Sequence, residues 1–301
     1  MKYIAIKSTH KGLFLEIELG SVCNYQCSYC PPHLHCGNIW LDYGCLQKFI
    51  EFCDPSHVLL VGGEPTFYPQ INEFLEFLKL REDRVVDITS NGSKHLKWWK
   101  QYKDYIDIIT LSYHLEYASL EKFIEVVKEI SQDRIVTVNV SMIVDRFDDC
   151  LKVAREISKN KNTFVSLKAL NNIETGKLYG YTPEQLASMA HISSPEIQTT
   201  YNKYSVNFYG MTADEKLEKQ IAQKIISENQ NRYKGWKCWK GIQYIRMNEN
   251  GDLFKCAQDL GHKSFGNIYD DKLELPQIPE VCEYDHCFCL PNLKCIDKEK
   301  I

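Results

Sequence analysis

The stretch LFLEIELGSVCNYQCSYCPP (residues 13–32) joins a short apolar run to three cysteines, Cys23, Cys27 and Cys30. Similar apolar runs follow, and they alternate with segments whose apolar residues recur every three or four positions, the spacing of helices with one buried face. The apolar runs are residues 13–19, 57–61, 85–89, 106–112, 135–143 and 164–170. The helical segments are residues 41–53, 69–80, 94–102, 118–130 and 146–157.

This alternation predicts the fold class. Strand–helix repeats build parallel sheets with right-handed crossovers and with the helices outside. Six strands are too few for a complete eight-stranded barrel. The sequence therefore predicts an α/β fold with a partial (β/α)6 TIM barrel in residues 1–172. A linker or helical segment is expected in residues 173–235, and a small β-hairpin and loop domain in residues 236–301.

Bulk composition excludes several classes of partner. The 301 residues carry a net charge of −4 and a pI of about 6.2. This balance provides no basic field for nucleic acid or for an anionic membrane surface. The sequence also lacks the apolar run of a signal peptide or of a transmembrane helix. We therefore expect a cytoplasmic protein with no nucleic-acid or membrane partner.

Thirteen cysteines are unusual for such a protein. Disulfides rarely persist in a reducing compartment, so clustered cysteines indicate metal binding or redox chemistry. Three of the others, Cys45, Cys53 and Cys150, lie in helical patterns and are expected to be core residues, whereas Cys36 lies in a loop near the first cluster. Six follow residue 237, namely Cys238, Cys256, Cys282, Cys287, Cys289 and Cys295.

Polar residues follow the predicted strands at their carboxyl ends. Parallel barrels assemble their active sites at this end, so we expect one reaction centre there. For Ser141 and His114, an ordinary turn residue is an equally good interpretation. The residues are Gly62, Gly63 and Glu64 after the second run, Asn91 after the third, Ser112 and His114 after the fourth, Ser141 near the end of the fifth and Lys168 near the end of the sixth.

The three-cysteine loop resembles the signature CxxxCxΦC of the radical S-adenosylmethionine (SAM) enzymes, with Tyr29 as the aromatic Φ. A structural zinc site is the alternative, but zinc normally takes four ligands. The resemblance implies a [4Fe–4S] cluster on Cys23, Cys27 and Cys30. Its remaining iron would bind SAM, which is cleaved reductively to a 5′-deoxyadenosyl radical.

The GGEP sequence at residues 62–65 resembles the family's GGE motif, which holds the SAM amino group. The resemblance thus implies a SAM contact for Glu64, through its carboxylate or through neighbouring backbone carbonyls. The residues expected to bind the cofactor are Tyr29, Gly62, Gly63, Glu64, Asn91, Ser112 and Ser141.

Cys238, Gly251 and Cys256 match the CxnGx4C opening of the SPASM/twitch extension found in many radical SAM enzymes. The segment YIRMNENGDLFKC predicts a hairpin that turns at Asn250–Gly251. The later cysteine spacings depart from the full SPASM pattern, so one auxiliary [4Fe–4S] cluster is expected. A zinc ribbon is the alternative. The expected ligands are Cys238, Cys256 and two of Cys282, Cys287, Cys289 and Cys295.

The segment 173–235 matches neither signature. The five tyrosines of its stretches GKLYGYTPEQLASM (residues 176–189) and TTYNKYSVNFYGM (residues 199–211) are expected to line a substrate pocket or to form a packed lid. The sequence TADEKLEKQIAQKIISEN (residues 212–229) predicts a long, charged surface helix.

The resemblance implies an oxidoreductase-type enzyme that abstracts a substrate hydrogen and passes an electron to the auxiliary cluster. Substrates of such enzymes are peptides or small molecules such as aminocyclitols. The chain begins at the barrel, so we expect no winged-helix peptide-recognition domain before it. A flavodoxin or ferredoxin is the expected electron donor. Catalytic candidates are Glu64, His114 and Lys168, with Cys36 as a further hydrogen donor. The alternatives are a redox-neutral epimerase or isomerase and a non-catalytic metal-binding module.

Overall fold

Each of the six apolar runs forms a strand in the structure, a computed structural model that describes residues 3–171, 178–192 and 207–301. The strands are β1 (Ala5–Ser8), β2 (Phe14–Glu18), β3 (Gly20–Val22), β4 (Cys36–Trp40), β5 (His57–Val61), β6 (Val85–Ser90), β7 (Ile108–Tyr113), β8 (Val136–Met142), β9 (Thr163–Ala169), β10 (Phe208–Met211), β11 (Leu217–Lys219), β12 (Trp236–Cys238), β13 (Tyr244–Met247), β14 (Asp252–Phe254), β15 (Gly266–Asn267), β16 (Glu280–Val281) and β17 (Lys298–Lys300).

The five predicted helices are also present. Together with the strands they confirm the α/β class and the six repeats of the partial barrel. The helices are α1 (Tyr43–Cys53), α2 (Ile71–Leu78), α3 (Leu96–Tyr102), α4 (Leu120–Ile130), α5 (Phe147–Ser158), α6 (Pro183–Ile192), α7 (Ala222–Ser227) and α8 (Leu290–Cys295). None of the helices in the described part of the chain is long and apolar enough to cross a membrane.

The chain forms two compact units. The first unit comprises residues 19–40 and 60–203, and the second comprises residues 1–18, 41–59 and 204–301. The predicted division of the chain at residues 172 and 235 stays a prediction.

In the first unit, strands β6 to β9 pair in chain order and in parallel. Side chains alternate between the faces of β6 and β7, and every second one is buried. Helix α4 buries Phe123, Val126, Val127 and Ile130, whose spacing places them on one face of the helix. The strands β3 and β4 form a separate antiparallel pair around the cysteine loop.

In the second unit, β13 pairs in parallel with β2 and antiparallel with β14. The β13–β14 connection is the predicted hairpin, and Gly251 supplies its left-handed turn with φ of 82°. Arg246 on β13 forms ion pairs with the buried carboxylates of Glu16 and Glu18. The parallel pairing of β13 with β2 is thus fixed by charge as well as by backbone hydrogen bonds.

A second sheet in this unit has the order β11-β10-β1-β17-β12-β16, and its described pairings are antiparallel. The sequence did not predict that β1 would join it.

The long helix predicted over residues 212–229 is wrong. The structure has β11 and then the six-residue helix α7 in that segment. Glu215 has a left-handed φ of 60°, and the Thr212 N–H donates to the Lys216 carbonyl oxygen, closing a hairpin between β10 and β11. Cross-strand pairing therefore overrides the local helical propensity here.

Candidate active site

Cys23, Cys27 and Cys30 lie on the loop that follows β3. The Cys30 N–H donates to the Cys27 carbonyl oxygen at 3.0 Å, and the Tyr25 N–H donates to Cys23 Sγ at 3.3 Å. Burial is the main cause that raises the pKa of Cys27 to about 11 and that of Cys30 to about 12. The negative charges of Glu116 and Cys23 contribute to the value for Cys27, and the neighbouring thiols contribute to the value for Cys30. The loop thus gathers three thiols that resist ionisation by themselves, and a metal centre would stabilise their thiolate forms.

The Glu64 carboxylate connects two loops of the first unit. It is only 1% exposed. Oε1 accepts hydrogen bonds from Thr66 Oγ1 at 2.6 Å and Ser90 Oγ at 2.7 Å, as well as from the Thr66 N–H at 3.1 Å. Oε2 accepts from the Asn91 N–H at 2.6 Å. Both oxygens are therefore engaged by the protein itself, and a contact of Glu64 with SAM stays a prediction.

Gly63 is required by packing against the cysteine loop. Its N–H donates to the Gly20 carbonyl oxygen, and the Glu64 N–H donates to that of Val22. A Cβ atom at position 63 would lie 2.1 Å from the Val22 oxygen and 2.7 Å from the Leu34 oxygen. Position 63 therefore needs a glycine because the neighbouring backbone approaches it closely. The preceding Gly62 has φ of 120°.

Tyr29 and His114 form a hydrogen-bonded pair, with the hydroxyl oxygen of Tyr29 2.8 Å from His114 Nδ1 and the rings stacked. Burial lowers the pKa of His114 to about 4 and raises that of Tyr29. At neutral pH the phenol is therefore protonated and the imidazole uncharged, and the tautomer of His114 determines which of the two groups donates. Ser141 opposes the effect of burial and lowers the pKa of Tyr29, so it lies near the phenol.

The remaining predicted cofactor and catalytic residues lie on neighbouring strand ends of the first unit. Asn91 Nδ2 donates to Asn24 Oδ1 at 2.9 Å and lies 3.8 Å from Cys23 Sγ. Ser112 pairs in register with Asn139. Lys168 pairs with Ser141, but it is exposed.

Four further cysteines lie outside the two predicted cluster sites. Cys36 is exposed on β4, with its sulfur 3.0 Å from His35 Nδ1. It also raises the pKa of Cys30, so it lies near the predicted cluster loop. Cys150 is fully buried in α5, as expected for a core residue. Cys45 and Cys53 are half-buried on α1.

Four cysteines line one pocket of the second unit, namely Cys238, Cys256, Cys282 and Cys287. Cys238 ends β12, Cys256 follows β14, Cys282 follows β16, and Cys287 lies in the loop beyond. The Cys282 N–H donates to the Trp236 carbonyl oxygen at 2.7 Å. The Cys287 N–H donates to the Asn231 carbonyl oxygen at 2.8 Å, and Asn231 Nδ2 returns a bond to the Cys287 oxygen.

Cys289 and Cys295 are not among the residues that line this pocket. Burial raises the pKa of Cys289, and the negative charge of Glu16 raises it further. The thiol of Cys289 therefore lies near the Glu16–Arg246 ion pair. Cys295 is buried in α8. Of the four late cysteines that the sequence left open, the pocket therefore contains Cys282 and Cys287.

Two buried lysines line the same pocket, and sequence reasoning missed both. Lys298 is 2% exposed and pairs in register with Cys238 across β17 and β12. Lys240 is 4% exposed. Each ammonium lies over a pocket tyrosine ring, Lys298 over Tyr233 at 5.1 Å and Lys240 over Tyr284 at 5.3 Å. Alternation along β12 predicts Trp236 and Cys238 on one face, but it does not extend to Lys240, which follows the strand, or to Lys298 on β17.

The pocket residues fit an iron–sulfur cluster. None of the thirteen cysteines forms a disulfide. Asn292 Nδ2 is buried at the pocket without a described hydrogen-bond partner, while its Oδ1 accepts from the Ala257 N–H, next to Cys256. An N–H donor and buried ammonium groups are the partners that anionic cluster sulfurs take.

Within residues 3–171, 178–192 and 207–301, no three His, Cys, Asp or Glu side chains converge as ligands of a single metal ion do. The four thiolates of a [4Fe–4S] cluster bind four different irons, so they surround a pocket without converging.

A larger cavity of about 470 Å³ adjoins the cysteine loop within the first unit. Asn24 and Tyr25 line it from the loop, and Asn91 lines it from the end of β6. Tyr117 stacks on Tyr25 and donates from its hydroxyl to the Gln26 carbonyl oxygen at 3.0 Å. Of the residues predicted to bind cofactor, this cavity includes Asn91.

A family model described as the Radical SAM superfamily matches residues 17–167, half of the chain. Curated relatives include 7-carboxy-7-deazaguanine synthase of Clostridium acetobutylicum, 27% identical over 54% of this chain and 74% of that protein. A protein of Saccharolobus islandicus named "Probable GTP 3′,8-cyclase" is 24% identical over 80% of this chain and 82% of its own length.

Solved structures with a similar fold include SuiB of Streptococcus suis bound to S-adenosylmethionine, at a TM-score of 0.54 and 16% identity over 86% of this chain. SuiB bound to its precursor peptide SuiA gives 0.55 at 15% identity, also over 86% of this chain. The anSMEcpe structure with bound AdoMet and the Cp18Cys peptide gives 0.52 at 16% identity over 85% of this chain and 77% of that chain. The chain covers 64% and 63% of the two SuiB chains, less than two thirds. At these identities the similarity shows the fold.

Proposed function

Because the chain belongs to the radical SAM superfamily, we propose that it is an oxidative radical enzyme with two [4Fe–4S] clusters. Cys23, Cys27 and Cys30 hold the SAM-binding cluster, which supplies the electron that cleaves SAM. A second, auxiliary cluster is held in the C-terminal pocket. The observation that carries the proposal is the set of four cysteines lining that pocket.

The number of protein ligands distinguishes the two sites. Three cysteines leave one iron of the first cluster open to an external ligand, whereas four cysteines occupy all four irons of the second. A fully ligated cluster has no free position for substrate, and its potential is set by the surrounding protein. The auxiliary site is therefore suited to accept an electron from a substrate radical, which makes the overall reaction a net oxidation.

Glu64, Tyr29 and His114 of the first unit are proposed to hold and orient the reactants, and none of them transfers a proton. Glu64 holds the GGE loop to the end of β6 through bonds to Ser90 and Asn91. In the proposed arrangement Tyr29 donates to His114 Nδ1 across their contact of 2.8 Å. The histidine then carries its proton on Nε2 and can donate a hydrogen bond from it to a polar group of cofactor or substrate. Because burial lowers the pKa of His114 to about 4, this group is a neutral donor at physiological pH rather than an acid.

The proposed substrate is a peptide or a small molecule. The peptides in the SuiB and anSMEcpe structures support the first class, and the names of the curated relatives support the second. A redox-neutral reaction on a small molecule is the second candidate, favoured by the GTP 3′,8-cyclase similarity over 80% of the chain. A flavodoxin or ferredoxin is the proposed source of the low-potential electron.

The test begins with anaerobic reconstitution. We expect about eight irons per chain and dithionite-dependent formation of 5′-deoxyadenosine from SAM, as two four-iron clusters require. A protein that binds zinc alone and leaves SAM intact would contradict the whole proposal.

The net oxidation is tested with deuterated candidate substrates, beginning with short peptides encoded beside the gene. We expect deuterium in 5′-deoxyadenosine and a product lighter by two hydrogens. In Cys256→Ala the deuterium transfer should persist while little oxidised product forms. If the reaction in deuterated water instead places solvent deuterium on the product carbon, the redox-neutral candidate is correct.

A further inference from the structure

We propose that the positive charge of Lys298 raises the reduction potential of the auxiliary cluster. The higher potential would allow the cluster to accept an electron from a substrate radical. This inference rests on the proposed function, because it concerns a cluster in the four-cysteine pocket. It assigns a role to a residue that carries no part of either cysteine motif.

The Lys298 ammonium is buried beside the pocket thiols. Its Nζ donates to the Asn292 and Ile296 carbonyl oxygens at 2.7 and 2.9 Å. Its positive charge lowers the pKa of Cys238 and of Cys287, opposing the larger effect of burial on these thiols. Backbone carbonyls thus hold the ammonium group near two of the proposed ligands. For Cys238 the strand pairing gives the same result, because Lys298 on β17 lies opposite Cys238 on β12.

No carboxylate lies within ion-pair distance of Lys298 among the residues that the structure describes, although the side chain is almost completely buried. A buried ammonium is costly unless an anion compensates it. Four thiolates around an iron–sulfur cluster give the site a net negative charge, so the cluster is the compensating anion that this lysine lacks.

Lys240 provides the contrast within the same pocket. Three carboxylates surround its Nζ, Asp259 at 3.7 Å, Glu280 at 3.9 Å and Glu283 at 3.9 Å. Its charge is therefore already balanced by the protein. No carboxylate of the described residues offsets the charge of Lys298 in this way, so we expect Lys298 to change the reduction potential of the cluster more than Lys240 does.

The direction of the effect follows from the charges. Reduction adds one negative charge to the cluster, and a fixed cation nearby stabilises the reduced form more than the oxidised form. Net charge and hydrogen bonding near the sulfurs are established determinants of cluster potentials. The lysine therefore moves the auxiliary potential upward, towards values at which a substrate radical can reduce it.

The experiment measures the midpoint potentials of both clusters in the reconstituted, full-length protein. Wild type, Lys298→Met, Lys298→Arg, Lys240→Met and the exposed control Lys300→Met, two residues along the same strand, are titrated anaerobically with electron paramagnetic resonance detection. The auxiliary signal is the one that does not change when SAM is added.

In Lys298→Met we expect the auxiliary potential to fall, making reduction at least tenfold less favourable, which corresponds to about 59 mV for one electron. The SAM-binding cluster should be unaffected. Lys300→Met should match the wild type, Lys298→Arg should lie close to it, and Lys240→Met should shift less. Unchanged auxiliary potential in Lys298→Met with full iron would overturn the inference.

Lys298→Met has a second informative outcome, the loss of the auxiliary cluster. If Lys298→Arg then keeps about eight irons, the positive charge is what the site requires, and the inference stands. If both variants lose the cluster, packing rather than charge explains the lysine, and the inference is overturned. A wild type with about four irons and one resonance signal would instead contradict the proposed function itself.

Discussion

The cysteine loop of the first unit and the cysteine pocket of the second unit differ in how far apart their cysteines lie in the sequence. The loop gathers its three thiols within eight residues, and no lysine forms an ion pair there among the described contacts. The pocket takes its four thiols from separate segments between residues 238 and 287 and adds two buried lysines.

This difference indicates a division of labour. A site confined to one loop can leave a ligand position open, because its few residues need not enclose the cluster. A site built from several strands encloses the cluster and surrounds it with fixed charges, which suits electron transfer.

The largest effect is expected from removing the loop thiols. The triple variant Cys23→Ala, Cys27→Ala and Cys30→Ala should lose about half of its iron and all formation of 5′-deoxyadenosine, because no cluster remains to bind and reduce SAM. Iron determination and chromatography measure both. A triple variant with full iron that still cleaves SAM would remove the basis of the comparison.

The pocket ligands are distinguished by a matched pair. Cys282→Ala should lose the auxiliary cluster and up to half of the iron, yet retain SAM cleavage. Cys289→Ala, seven residues further along the chain and outside the pocket lining, should keep about eight irons. Mössbauer spectroscopy of iron-57-enriched protein follows the change. The reverse pattern would show that the cluster uses Cys289 instead.

The third prediction tests the role of the buried Glu64 carboxylate in the first unit. Glu64→Gln replaces an acceptor of the buried network by an amide donor that faces the Asn91 N–H. We expect a loss of about 3 kcal/mol in the free energy of unfolding and weaker SAM binding. Urea denaturation and calorimetry measure the two effects.

The control for this variant is Glu116→Gln. Glu116 is an exposed carboxylate that also contacts the cysteine loop, through Ser28. It should change stability by less than about 1 kcal/mol. Equal effects of the two substitutions would refute the special role of the buried carboxylate.

The smallest effect concerns pH. Burial, with a further contribution from His57, lowers the pKa of His10 in the second unit to about 4. The unfolded chain therefore binds a proton between pH 6.5 and 4 that the folded chain does not, and stability is lost as the pH falls through this range. We expect His10→Phe to remove about 1–2 kcal/mol of the loss between pH 7 and 5.

Urea midpoints at the two pH values measure the effect of His10. His262→Phe, at an exposed histidine of the same unit, should leave the pH dependence unchanged. A pH dependence in His10→Phe equal to that of the wild type would assign the acid sensitivity to other groups.

Local patterns were sufficient to predict much of the molecule. The six barrel strands, their helices and the hairpin at Gly251 follow from periodicity and turn chemistry. The three-cysteine loop was identifiable because its residues are neighbours in sequence. Glu64 was identified as important, but its four hydrogen bonds depend on loops 26 residues apart and could not be read from the motif.

The features that the sequence did not predict depend on long-range pairing. The choice of Cys282 and Cys287 over Cys289 and Cys295 is made by irregular loops that carry no periodicity. The lysines of the pocket become meaningful only when Lys298 is seen opposite Cys238. The incorrect helix over residues 212–229 has the same origin, since pairing with β10 decided its conformation.

The position of strand β17 in its sheet affects the order in which the protein folds. It lies between β1 and β12, and beside it the Ser8 N–H donates to Asp297 Oδ1 across 289 residues of sequence. Such contacts close very long loops and are expected to form slowly, whereas the parallel strands β6 to β9 are joined by short connections. Lys298 and the edge of the four-cysteine pocket are therefore completed late in folding. Until then the pocket thiols are open to oxidation and to binding the wrong metal, so we expect insertion of the proposed cluster to follow the arrival of this strand.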